Sequence, residues 1–240
     1  MSAREPVVVR STPTPCTNYE DYREPLRHDF WHSCAYCSVA ESEARGIGFQ
    51  IDHYYPKDTY PHLKASYSNL MWSCQRCNRD KSNYPPKDGP YNEDCYVIRV
   101  DQDHPANHFE LEGDELHYLT PTGEFNITQL DLNRQSLKQV RRVRTRLWRA
   151  REICAFGISE LRSTRIDRLS PKERGKFLKL KKELGDDFAS LKNALDDYIR
   201  NAARSILLDP DPARRGNLKK RKSYLREQKA IVPDCGPQGS

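Results

Sequence analysis

The apolar positions of this chain fall into stretches of different period. Leu137, Val140, Val143, Leu147, Ala150 and Ile153 recur every three or four residues. That spacing predicts an amphipathic helix, with Asn133 as its N-cap. A second helical region is expected from about Pro171 to Leu208, carried by Phe177, Leu180, Leu184, Phe188, Leu191, Leu195, Tyr198, Ala202 and Ile206. Gly185, followed by two Asp, is a candidate break within it. Upstream the period shortens. "CYVIRVD" (95–101) is rich in β-branched residues and predicts a strand. "HFELEGDELHYLTPTGEF" alternates apolar and polar residues about Gly113-Asp114 and predicts a hairpin. "NYPPKDGPYNED" is dense in Pro, Gly, Asn and Asp and reads as a loop. From His28 to about Tyr84 neither period holds, and aromatics, Cys and His dominate. That composition suits a small core built around metal. Residues 1–27, rich in Pro and polar side chains, read as an extended arm or a poorly ordered lead-in, and the basic stretch from Asp209 onward reads as a mobile tail.

The chain's 240 residues suffice for one ample domain or two small ones. A net charge of +6 and a pI near 8.8 permit a nucleic-acid partner without requiring one. Charged residues make up 31% and mean hydropathy is -0.91, so a soluble protein is expected. There is no run of 18 apolar residues, so no membrane-spanning helix is expected. The first residues lack an apolar stretch behind a basic head, so no secretory signal is expected either. These features point to the cytoplasm. There are eight cysteines, four of them in the pairs "CAYC" and "CQRC". In a reducing compartment such pairs favour metal over disulfides.

Cys34, Cys37, Cys74 and Cys77 form two C-x-x-C knuckles, each offering two thiolates. Together they complete a tetrahedral zinc shell with no open position, so the zinc would be structural. The 36 residues between the knuckles must carry structure of their own. A zinc-stapled nucleic-acid-binding module, or a docking subunit without chemistry, is one reading of the cysteines alone.

The insert adds an ordered set: Asp52 beside His53, then Asn69, then Asn78 directly after the last cysteine, then Lys81. This order resembles the HNH endonucleases, the ββα-metal family. The resemblance implies an α+β fold in which a zinc-stapled ββα-metal core carries a small β extension and a C-terminal helical region. Its expected boundaries are an arm over 1–27, the nuclease core with its extension over 28–131, helices over 132–208 and a tail over 209–240. It also implies catalytic roles for His53, Asp52, Asn69 and Asn78, with Asn69 orienting the His53 segment. The third signature position is often His in that family and is Asn78 here. The residue types suit phosphodiester hydrolysis in their own right. His53 is a natural general base, and Asp52 and Asn78 offer hard oxygens suited to Mg or Mn. Adjacent strand residues point to opposite faces, so Asp52 and His53 share a site only where the strand ends or bends.

The stretch "DHYYPKDTYPHLKASYSNLMWSCQRCNRDKSNYPP", with "LDLNRQSL" further on, resembles a narrower branch over residues 34 to 145. It is similar to the HNH proteins of Septu-type antiphage systems, the PtuB family. That implies an effector nuclease of a bacterial defence system working beside an ATPase partner, with DNA ahead of RNA as substrate. Arg76, Arg79 and Lys81 are candidate phosphate clamps. Eight Lys or Arg lie between Leu132 and Arg151 with no acidic residue among them. Arg141, Arg142 and Arg144 are therefore expected on a phosphate-binding ridge. His104 and His108 are i, i+4 neighbours but gather no further ligands in the sequence.

Overall fold

The computed structural model describes residues 8–44, 46–84, 93–163, 165–167 and 169–201, with side chains to residue 195. Most of the loop expected at 83–94, and all of the basic tail expected from 209, lie outside these residues. Two compact units form: the first ends at Arg142 and the second is Val143–Asn201.

The centre of the first unit is a ββα arrangement. Strand β1 (Phe49–His53) pairs antiparallel with β2 (Leu70–Cys74), with Ile51 opposite Trp72 and His53 opposite Leu70. Helix α2 (Gln75–Lys81) starts where β2 stops, and Cys74 serves as both the last strand residue and the helix N-cap position. All five β2 residues are buried. Strand β2 therefore runs through the core rather than along an edge face, which explains why it shows no alternation in sequence.

Residues 8–29 are part of this core, not the free arm expected of 1–27. Val8 donates its amide to the Val100 carbonyl at 3.2 Å. Helix α1 (Arg23–Asp29) buries Leu26 completely and Tyr22 packs just before it. Arg10 pairs with Asp101 at 2.6 Å and donates to the Tyr67 carbonyl at 3.0 Å. Ser11 and Tyr67 both donate to Asp29. A Pro-rich composition masked a segment fixed by long-range contacts that no local pattern reveals.

The β extension holds the expected hairpin, β3 (Phe109–Glu112) and β4 (Glu115–Tyr118), joined through Gly113-Asp114. The expected strand at 95–101 does not form. Side chains take several of its backbone groups instead, while the Val100 carbonyl accepts from Val8. Asn126 accepts from the Ile98 amide at 3.0 Å and donates to the Tyr96 carbonyl at 2.7 Å, and Tyr54 donates to the Val97 carbonyl at 2.7 Å. Asn126 lies on a helix that the hairpin pattern hid, α3 (Pro121–Gln129). Thr120 caps it by accepting from the Gly123 amide, and Pro121 takes the first turn, a legible start signal. Gly123 is required there: a Cβ would stand 2.1 Å from the His108 carbonyl oxygen.

Helix α4 (Gln135–Ser163) begins one residue later than an Asn133 cap predicts, because Asn133 is otherwise engaged. Its side chain clasps Leu116, accepting from the amide and donating to the carbonyl, both at 2.9 Å. The face of α4 that is buried runs through Leu137, Arg141, Arg144 and Cys154, whereas Val143 and Ile153 are exposed. This is about one residue out of phase with the expected apolar stripe. In the second unit, α5 (Pro171–Asn201) is continuous through Gly185. Ser170 and Glu173 form a reciprocal cap at its start. Gly157 lets the Phe188 ring approach α4 closely, at 3.0 Å from where a Cβ would sit.

The phosphate ridge is therefore corrected. Arg141 is 1% exposed and donates to the carbonyls of Asp114 and Leu132 and to the Asn133 side chain. Arg144 is also buried. Of the three arginines only Arg142 is exposed, and it is ion-paired with Asp114. The basic run reads as a ridge in sequence because burial of the arginines there cannot be told from local charge. Arg141→Ala is expected to destabilise the first unit by about 3 kcal/mol, since buried acceptors lose their donors. Urea unfolding measures it; a change under about 0.5 kcal/mol would contradict the structural role.

Candidate active site

The four cysteines converge. The Sγ atoms of Cys34, Cys37, Cys74 and Cys77 lie within 4.8 Å of one another and all four residues are buried. The first knuckle is shaped by its own backbone: Cys34 accepts from the Ser38 amide at 2.9 Å and donates to the Val39 carbonyl at 2.9 Å. Ser38 takes a positive φ of 60° to close the turn. Ala35 then donates to the Trp72 carbonyl of β2 at 2.8 Å, bringing the first knuckle to the second. Four buried thiols at this spacing fit zinc, whose ligand–metal bonds are about 2.3 Å. Four thiolates on Zn²⁺ carry a net negative charge, and Arg134 is placed to meet it. Its Nη2 lies 3.6 Å from Cys77 Sγ, while Nη1 donates to the Leu130 and Asp131 carbonyls.

Strand β1 ends at His53, and its last two side chains turn to different neighbours. Asp52 is 6% exposed and faces the knuckle and α2. Tyr36 donates to its Oδ2, and Lys81 Nζ lies 3.3 Å from the same oxygen. Burial pushes the Asp52 carboxyl up, opposed by Lys81 and Tyr36, which favour the charge. Lys81 is 1% exposed and also donates to the His53 carbonyl at 2.9 Å. Its reading as a phosphate clamp is therefore corrected: it joins the two catalytic candidates from inside. Asn78 precedes it by three residues on the same short helix and is half-buried.

His53 faces the loop side. Its Nε2 is 2.9 Å from the Lys64 carbonyl. A carbonyl only accepts, so Nε2 carries the proton and Nδ1 holds the free lone pair. The Tyr19 ring meets the imidazole edge-on at 4.8 Å. Burial lowers the His53 pKa against the pull of the Lys64 carbonyl, which keeps the ring neutral near pH 7. Asn69 is buried and staples the intervening loop. It accepts from the Tyr55 amide at 2.8 Å and donates to the carbonyls of Tyr55 at 3.1 Å and Leu63 at 3.3 Å. It thus holds the loop whose Lys64 carbonyl orients His53, without touching the imidazole itself.

Arg76 pairs with Asp80 and Asp131, and Arg79 is exposed beside Asp80. His104 caps a turn by accepting from the Ala106 amide, while His108 bridges Asp103 and Thr120. The two imidazoles serve separate contacts. Tyr36 and Arg134 were missed in sequence. Tyr36 carried only a weak signal, an aromatic between two cysteines: it is buried, whereas Gln75 and Arg76, between the other two, are not.

This geometry agrees with comparison to known proteins. Residues 34–84 match the family model for HNH endonucleases. The chain contains an HNH endonuclease domain. It is also 32% identical over 105 residues to Septu protein PtuB of Bacillus thuringiensis, covering 42% of this chain and 38% of that protein. It is 28% identical over 170 residues to Septu protein PtuB of Bacillus mycoides, covering 58% and 57%. The chain thus spans about half the length of these curated relatives or less. No solved structure matches it significantly. No helix among the described residues is long and apolar enough to cross a membrane.

The HNH domain's dependence on its zinc knuckles predicts that stripping zinc with a strong chelator unfolds it. Arg134→Ala should release zinc to a competing chelator about ten-fold more readily, a typical effect of removing a contact to a metal ligand. Circular dichroism with a colorimetric zinc assay checks both. An unchanged spectrum after full zinc removal would contradict the assignment.

Proposed function

We propose that this protein is a metal-dependent endonuclease that hydrolyses nucleic-acid phosphodiester bonds, DNA ahead of RNA, with His53 as general base. The observation that carries this reading is the pinned imidazole. With Nε2–H committed to the Lys64 carbonyl, Nδ1 is the atom able to take a proton from the attacking water. Its neutral state near pH 7 leaves that lone pair available. The carbonyl goes on accepting from Nε2–H while the ring is cationic, so the charge formed there stays hydrogen-bonded.

Two side chains offer oxygens to a catalytic Mg²⁺ or Mn²⁺. Both contacts to Asp52 fall on Oδ2, leaving Oδ1 for another partner, and Asn78, a partly exposed residue, brings an amide oxygen on the helix that carries Lys81. Two hard oxygens fit such an ion. When bound, it would stabilise negative charge on the phosphate and the leaving oxygen. Arg79 and Arg76, both with exposed guanidinium groups, are the proposed phosphate contacts, with Arg142 at the edge of the first unit. Likeness to two Septu PtuB proteins supports a role as the effector nuclease of an antiphage defence system, in the cytoplasm, beside an ATPase partner.

The test is cleavage of plasmid DNA, single-stranded DNA and RNA by wild type and His53→Ala, with Mg²⁺, Mn²⁺ or EDTA. Wild type should cut DNA only with metal. His53→Ala should lose about a hundred-fold or more in rate while remaining folded and zinc-loaded. Equal cutting by the two proteins would overturn the assignment of His53.

A further inference from the structure

We propose that Tyr36 and Lys81 are positioning residues that fix the Asp52 carboxylate through Oδ2, so that Oδ1 is presented as a metal ligand in one orientation. The inference rests on reading Asp52 as a ligand and adds how the zinc knuckle governs it. Tyr36 lies between Cys34 and Cys37, so its backbone is held on both sides by zinc ligands. The knuckle's hydrogen bonds to Val39, Ser38 and Trp72 remove its remaining freedom. The phenol is 4% exposed, and its hydroxyl ends on Asp52. Lys81 reaches the same oxygen from α2, whose first turn carries Cys77. Both arms that grip Asp52 therefore originate at the zinc site, one from each knuckle.

The torsion that turns a carboxylate about its own axis is soft and nearly two-fold. Left alone, Asp52 could present either oxygen, or rotate both away from the ion. Two donors on one oxygen remove that freedom. A ligating carboxylate that is itself hydrogen-bonded binds its ion more tightly, and losing such a partner typically costs 10–100-fold in affinity. The groups facing Asp52 are Lys81 from α2, Tyr36 from the knuckle and His53 on its own strand. A purely structural tyrosine would need only its ring here, because phenylalanine fills the same space. The hydroxyl matters only for the carboxylate it meets.

The experiment uses the full chain as wild type, Tyr36→Phe, Lys81→Gln and Asp52→Asn. Mn²⁺ binding is titrated by electron paramagnetic resonance. Zinc content, thermal midpoint and the Mn²⁺ concentration for half-maximal cleavage are measured alongside. Tyr36→Phe is expected to keep its zinc, bind Mn²⁺ about ten-fold more weakly, and recover most of its cleavage rate at saturating Mn²⁺. A disturbed fold would lower the rate at every metal concentration. Lys81→Gln reads the same oxygen without touching the first knuckle, should Tyr36→Phe lose zinc, and is expected to weaken Mn²⁺ binding likewise. Wild-type Mn²⁺ affinity in a zinc-loaded Tyr36→Phe or Lys81→Gln, with Asp52→Asn weakened, overturns this inference alone. Unweakened binding in Asp52→Asn as well overturns the reading of Asp52 as a ligand.

Discussion

Four buried thiols within 4.8 Å of one another set the terms for the rest of the HNH domain. Its ββα core, β1, β2 and α2, is small, and a small core has little apolar area with which to offset chain entropy. A structural metal held by the four thiols would supply the missing free energy. The knuckles also supply position. Cys74 ends β2 and stands at the N-cap position of α2, so one proposed zinc ligand is also the joint between strand and helix. Residues 8–29 and the β extension then close over this centre, through Arg10 to Asp101 on one side and Arg134 to Cys77 on the other.

A second feature is the number of cations held inside. Lys81 and Arg141 are each 1% exposed, and each is surrounded by acceptors. Burying a charge is unfavourable unless it is paired and hydrogen-bonded. Lys81 meets that condition at the point where Asp52 and His53 diverge, gripping the side chain of one and the carbonyl of the other. Adjacent strand residues that must face opposite ways are thereby held in fixed relation. Lys81 and Tyr36 thus tie the two cysteine knuckles to the Asp52 carboxylate.

The ordered signature made the domain legible: two knuckles, Asp52-His53, Asn69 and Asn78 name the family in sequence, and residues 34–84 bear it out. The β3–β4 hairpin was legible because its alternation is local. What stayed hidden depends on partners far away in the chain. The fate of 95–101 is decided by Asn126 and Tyr54, some thirty to forty residues off. The N-terminal segment reads as a loose arm until Val8 meets Val100. The charge run on α4 suggested a nucleic-acid face, yet Arg141 and Arg144 point inward. Long cationic side chains bury their stems along apolar surface, so a helix can place Arg on its inner face without any sign in a hydropathy pattern.

On the proposed reading one protein holds two metals with separate duties, zinc to build the fold and a harder ion at Asp52 to serve the chemistry. Anomalous diffraction from crystals grown with zinc and soaked in Mn²⁺ tests it directly. A zinc peak is expected about 2.3 Å from all four Sγ atoms, with a separate manganese peak against Asp52 Oδ1. Manganese absent from Asp52, or found among the cysteines, would contradict it.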